Sequence, residues 1–199
     1  MDKPASADFP IHDLLASRWS PRAFAARPVE AEVMCSLFEA ARWAPSCFNE
    51  QPWRFIVARS DDEAGFARML DCLVAFNRSW ARAAPVLILG LAHTLYARSA
   101  KPNAHAGHDL GQAAMSLVVE STAHGLVAHQ MAGIEPEKIR ETYDLPDEVE
   151  PLTAIALGYP GDPDALAEEF QEGERAPRTR RAQEEFVFAG AWGRAAEFN

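Results

Sequence analysis

Ten consecutive residues, Ala83 to Ala92, carry no charged or polar side chain, and from Pro85 onward (PVLILGLA) every residue is apolar or glycine. A run of this length fits a strand. It is about half of the ~20 residues that a membrane helix needs, and no longer apolar run occurs elsewhere in the chain. A strand apolar at successive positions is buried on both faces, so Pro85–Ala92 reads as a central strand.

The elements around it follow from periodicity and breakers. Trp53–Arg59, Leu126–Met131 and Leu152–Tyr159 read as strands, the last closed by a Pro-Gly turn. Val29, Val33, Met34, Leu37, Phe38 and Ala41 recur at helical spacing. They predict a helix that opens at Pro28 and ends before Pro45. Helices are also predicted over Ile11–Ser17, Asp61–Leu73, Asn77–Ala83, His108–His124, Pro136–Tyr143 and Asp164–Gln171, with Gly125 placed to terminate the fourth of these. Glu172–Arg181 is polar and Arg-rich and reads as a loop, and residues 1–10 read as a mobile lead-in. Without a steady βαβ alternation, the order of elements implies an α+β fold. At 199 residues the chain is expected to form a single domain. Its apolar tail, Phe186–Trp192, should dock on its own body or on a partner subunit.

Composition removes several functions. With 19 Lys and Arg against 29 Asp and Glu, the formal charge is −10, which disfavours a nucleic-acid partner. The start, Met1-Asp2-Lys3-Pro4, lacks the pattern of a signal peptide, and no membrane segment is expected. The three cysteines, Cys35, Cys47 and Cys72, lack metal-type spacing and read as reduced thiols in a cytoplasmic protein. No G-x-G-x-x-G, P-loop or G-x-S-x-G is present. His105 and His108 stand at i, i+3 rather than the i, i+4 of a helical zinc pair, so no metal site is expected. Cys47 has no basic neighbour in sequence; it reads as an inert thiol, with a nucleophile as the alternative.

Two cationic clusters stand out from this acidic chain: Arg18-Trp19-Ser20-Pro21-Arg22 and Arg175-Ala176-Pro177-Arg178-Thr179-Arg180-Arg181. Guanidinium groups beside a hydroxyl and free turn N–H groups suit a phosphate dianion; the alternative is a solvated basic loop matched to carboxylates. Between them, Pro45 and Pro52 bracket a stiff loop presenting Ser46, Asn49 and Gln51, whose donors and acceptors suit the edge of a heteroaromatic ring. Farther on, Met131-Ala132-Gly133 ends a strand at a glycine, where backbone can approach a ligand closely.

In this order the segments R-W-S-P-R-A-F, A-R-W-A-P-S-C-F-N-E-Q-P-W-R-F, H-D-L-G-Q-A-A, H-Q-M-A-G-I-E and P-R-T-R-R resemble the nitroreductase family of FMN-dependent NAD(P)H oxidoreductases, over about Ile11 to Trp192. The resemblance implies a three-layer α/β/α sandwich with a mainly antiparallel central sheet, assembled as an intertwined homodimer, with residues 173–199 crossing to the partner. It implies that Arg18, Ser20 and Arg22 hold the FMN phosphate and ribityl chain, with Arg178 and Arg180 as a second pair. Pro45, Ser46 and Cys47 would reach a flavin bound mainly by the other subunit, with Asn49 and Gln51 beside them. Asn77 would bond the flavin's polar side. Backbone N–H groups of Ala132 and Gly133 would approach its N5, with Met131 and Gln112 nearby. Trp19 belongs to the same implied set, although it stands where relatives often carry a basic residue; Ala132 stands where some carry Glu.

The implied activity is transfer of a hydride from NADH or NADPH to FMN N5, followed by reduction of a nitroaromatic, a quinone or a similar small acceptor in a ping-pong scheme. No side chain acts as a catalytic group, because the flavin carries the chemistry. A narrower FMN-dependent reductase of an activated alkene or specific metabolite, a non-catalytic flavin-binding protein and a thiol enzyme built on Cys47 remain alternatives.

Overall fold

The apolar run is the centre of a four-stranded sheet. In this computed structural model residues 3–198 are described; Met1 and Asp2 of the lead-in and Asn199 of the tail lie outside them. The elements in chain order are α1 (Asp13–Ser17), α2 (Ala31–Arg42), β1 (Trp53–Arg59), α3 (Glu63–Leu70), α4 (Ala75–Ala81), β2 (Val86–His93), α5 (Ala106–Ala123), β3 (Val127–Met131), α6 (Pro136–Tyr143), β4 (Val149–Gly158) and α7 (Glu168–Arg175). Single 3-10 turns lie at Cys47–Asn49, Pro163–Ala165 and Gln183–Glu185. Every strand pair is antiparallel, in the order β1-β2-β4-β3.

Alternation along β2 divides the core in two. Leu87, Leu89 and Leu91 pack with Phe66 and Met69 of α3, Trp80 of α4 and Ile139 of α6. Val86, Ile88 and Ala92 point the other way, against Leu37 and Ala41 of α2 and Leu110, Ala113 and Leu117 of α5. Both faces are therefore dry, which is why β2 can be apolar at every position. The result is an α+β three-layer α/β/α sandwich with an antiparallel sheet. Leu152 is an extra residue in β4 at the point where Gly90 and Leu91 change register with it. Gly90 is needed there, since a Cβ would lie 2.7 Å from Thr153 Cγ2.

Element ends follow their caps. Gly125, at φ +70°, closes α5, with Leu126 N–H donating to the Ser121 carbonyl at 2.9 Å, so that β3 starts two residues later. Pro28 does not open α2. The segment stays extended through Glu30 because Val29 is buried and its carbonyl accepts from Arg59 at 3.2 Å. The helix expected over Asp61–Leu73 is shorter at both ends, because the Asp62 side chain caps it and Leu73 leaves to bridge Ile134. The helix expected over Asp164–Gln171 is displaced. Leu166 is extended, a new helix begins at Glu168, and Glu172–Arg175, expected as loop, form its last turns. Burial of Phe170 and Glu174 holds α7 in that register.

The lead-in is held at Ala5, whose N–H donates to the Ala16 carbonyl at 2.8 Å. The tail forms a small hairpin through a Phe188–Ala195 bridge, with Phe188 and Trp192 rings 5.1 Å apart. Trp192 is 93% exposed. No helix among the described residues is long and apolar enough to cross a membrane.

Candidate functional site

The register of α7 carries a buried carboxylate to the Arg18–Arg22 turn. Glu174 Oε1 accepts from the N–H groups of Arg22 at 2.9 Å and Ala23 at 3.0 Å, and Glu174 itself is 2% exposed. Its acceptor capacity is directed to main chain, so it forms no ion pair with an arginine. Around this anchor lies a cleft of about 240 Å³ lined by Arg18, Trp19, Ser20, Arg22, Arg178, Arg180 and Lys3, among others.

None of Arg18, Arg22, Arg178 or Arg180 pairs with a carboxylate among the described residues. Arg18 donates to Ser20 Oγ at 3.1 Å, and Arg178 donates to the carbonyls of Lys3 and Ala16, each at 2.7 Å. Burial holds Arg18 below its ordinary pKa, and the like charges of Arg178 and Arg180 push it the same way. Arg178 is lowered by burial and by Arg180. The buried Nε of Arg22 has no partner among the described residues. Convergent guanidinium groups with an orphaned donor are unfavourable alone and match an anion placed among them.

Sequence reasoning missed what lies behind the cleft. His129 on β3 hydrogen-bonds the Pro21 carbonyl through Nδ1 at 3.0 Å and stacks on Trp80 at 4.6 Å between centroids. A carbonyl only accepts, so Nδ1 carries the proton. The Arg22 guanidinium is 5.8 Å from the ring centroids of Phe76 and Trp80, which joins the cleft to α4. On α4, Asn77 is buried and donates through Nδ2 to the Gly133 carbonyl at 3.0 Å. A Cβ on Gly133 would come within 2.4 Å of that nitrogen, so glycine is required where this strand leaves the sheet. Ala132 beside it is exposed, whereas the Met131 side chain is buried in the core.

The remaining candidates form a separate group. Phe48, Asn49 and Gln51 have φ of 54°, 57° and 51°, left-handed positions interrupted by a right-handed Glu50, each costing on the order of 1 kcal/mol. The loop is held in it by polar contacts. Gln51 N–H donates to Ser46 Oγ at 3.0 Å, Gln51 Nε2 to the Asn49 carbonyl at 3.1 Å, and Cys47 N–H to Asp109 Oδ2 at 3.0 Å. Asp109 is 1% exposed. Pro45 is exposed at the loop's start, and Gln112 is half-buried one turn beyond Asp109. The Cys47 thiol lies 3.7 Å from the Tyr96 hydroxyl, a contact that raises the Tyr96 pKa. This loop makes Phe48 88% exposed.

One chain keeps the two groups apart. The loop leads into β1 and His129 lies on β3, at opposite edges of the sheet. Three strand spacings, about 14 Å, separate those edges. Along α5, Asp109 holds the loop while Thr122 borders a second cleft with Arg18, about 20 Å away at 1.5 Å per residue.

Comparison with known proteins agrees with this architecture. A family model described as the Nitroreductase family matches residues 15–75 and 72–159. A crystal structure of an oxidoreductase containing FMN superposes with a TM-score of 0.88 at 33% identity, covering 94% of this chain and 95% of that one. An uncharacterised 15.4 kDa protein of Mycolicibacterium smegmatis is 35% identical, over 70% of this chain and 97% of its own length. An NADH dehydrogenase of Thermus thermophilus is 29% identical over 82% of this chain and 90% of its own.

Two stability effects are expected. Glu174→Ala leaves the Arg22 and Ala23 N–H groups without an acceptor and should cost about 3 kcal/mol, read from the urea midpoint; Glu174→Gln, which keeps an acceptor, should cost less. Burial, with Arg22 and Arg18 adding to it, holds His129 below its ordinary pKa, against the opposing Pro21 hydrogen bond. The unfolded chain therefore takes up a proton near pH 6.5 that the folded chain resists, and stability falls as pH drops through that value. Urea unfolding at pH 7.5 and 5.5 should show this drop, and His129→Phe should reduce it.

Proposed function

The chain belongs to the nitroreductase family, and on that premise we propose that it is an FMN-dependent oxidoreductase that draws electrons from NADH or NADPH and reduces nitroaromatics, quinones or similar electron-poor acceptors. The observation that carries this reading is the cleft of unpaired cations. Arg18, Arg22, Arg178 and Arg180 converge without a counter-ion, and the buried Nε of Arg22 lacks a partner. Those residues fit the terminal phosphate of FMN, each charge-assisted bond contributing roughly 1.5–3 kcal/mol. Ser20 offers a hydroxyl to the same group. The FMN named for the similar crystal structure and the NADH dehydrogenase relative support the cofactor and the donor.

FMN, when bound, supplies reversible two-electron chemistry between donor and acceptor. The chain's own residues bind and orient. Trp19 borders the phosphate cleft. Asn77 holds the Gly133 carbonyl, which fixes the main chain of Ala132 and Gly133 where the flavin ring is proposed to lie. Gly133 leaves room for that approach, since any side chain there would displace Asn77.

The proposed site takes two chains. The loop of Pro45, Ser46, Cys47, Asn49 and Gln51, with Gln112 beside it, lies too far from the cations of its own subunit to share one ligand with them. In a homodimer the loop of one subunit would meet the flavin of the other. Exposed Phe48, Phe186, Trp192 and Phe198 support such an assembly, since a lone chain would leave these rings in water. Cys35, Cys47 and Cys72 are free thiols, which supports a cytoplasmic location.

The purified protein is expected to bind FMN, and Arg22→Ala should raise the FMN dissociation constant roughly ten- to a hundredfold. An unchanged constant removes Arg22 from the site. Initial rates with donor and acceptor both varied should give parallel double-reciprocal lines, the pattern of two separate half-reactions; an intersecting pattern contradicts the scheme.

A further inference from the structure

The cleft holds one cation that neither arginine motif contains. Lys3 comes from the lead-in, yet the surrounding chain is strapped into the site at several points. Ala5 N–H donates to the Ala16 carbonyl at 2.8 Å. The Arg178 guanidinium bridges the carbonyls of Lys3 and Ala16, each at 2.7 Å. Lys3 Nζ in turn donates to the Glu174 main-chain carbonyl at 2.7 Å and lies 4.6 Å from the centroid of the Trp19 ring. The lead-in thus meets α1 and Arg178 through its main chain and the end of α7 through the Lys3 side chain.

The ammonium has capacity to spare. It has three donors, and one of them is used, on a neutral carbonyl. Among the described residues Lys3 forms no ion pair with a carboxylate. Its neighbours along the cleft are four like charges, Arg18, Arg22, Arg178 and Arg180, and one carboxylate, Glu174, which attracts the ammonium while its oxygens accept from main-chain N–H groups. Five cations around one carboxylate leave the cleft with an excess of positive charge that an anion in front of Lys3 would offset, and the flexible stem lets the two remaining N–H bonds turn toward it.

We infer that Lys3 is a further phosphate-binding residue of the flavin site, so that the lead-in forms one wall of the cofactor pocket. The inference rests on the FMN reading above. Trp19 takes part by stacking under the ammonium, a contact that keeps the lysine on the cleft wall. Arg178 has a double role in this arrangement: it contributes charge and clamps the Lys3 carbonyl.

The test compares the full-length chain with its Lys3→Met and Lys3→Arg variants, each freed of flavin and titrated with FMN and with riboflavin, which lacks the phosphate. Lys3→Met keeps the carbonyl that Arg178 clamps and removes the charge, together with the ammonium's bond to the Glu174 carbonyl and its contact with Trp19. It should weaken FMN binding about tenfold and leave riboflavin binding unchanged, while Lys3→Arg should recover most of the loss. The melting temperature of the flavin-free variants separates lost affinity from lost folding. Lys3→Met with unaltered FMN affinity, or with equal losses for both flavins, overturns the role of Lys3. Wild-type chain that binds FMN no more tightly than riboflavin overturns the phosphate reading of the whole cleft, and the inference with it.

Discussion

A single buried carboxylate organises the cationic cleft. Glu174 accepts from the main chain of Arg22 and Ala23, more than 150 residues away in sequence. It therefore fixes the turn from which Arg18 and Arg22 project, and it does so without neutralising either guanidinium by direct contact. Had the same carboxylate paired with an arginine side chain, the cleft would have lost much of its attraction for an anion. Spending its lone pairs on peptide N–H groups sets the backbone and leaves the positive charge available.

The sandwich explains why the site is divided. A sheet in the order β1-β2-β4-β3 places the chain's first and third strands at opposite edges. The left-handed loop before β1 and the cation cluster beside β3 then lie on different margins of one subunit. Asp109, buried at the start of α5, holds the loop in its strained form through Cys47 N–H. Such a conformation persists only where the surroundings over-determine it. In the proposed homodimer the loop of one subunit would reach the cations of the other, which would give that strain a purpose and cover the exposed rings of the loop and tail.

Much of the fold can be read from local pattern. The strand at Pro85–Ala92, the helix ending at Gly125 and the helix opening at Pro136 depend on apolar runs and on backbone limits of Gly and Pro, which act within a few residues. The start of α2 could not be read this way. Pro28 is a sound first helical residue, but burial of Val29 and its bond to Arg59 keep the segment extended. The end of α7 could not be read for a related reason: Glu172, Gly173 and Glu174 look like solvated loop until the Arg22 turn is seen beside them. His129 carries no motif, and its place behind the cleft comes from β3 pairing with β4.

By itself, the sequence determined the residue types of the site and the family they point to, because guanidinium-rich turns, a proline-bracketed loop and a strand ending in glycine are each written in contiguous residues. The tertiary structure decided which of these meet. Arg18 and Arg178 come together because α7 is anchored by a buried acid. Lys3 joins them because the lead-in is bonded to α1 and to Arg178, and the Ser46–Gln51 loop stays apart because it lies at the opposite edge of the four-stranded sheet. Contacts between residues distant in sequence depend on sheet order and burial, and no local pattern encodes them.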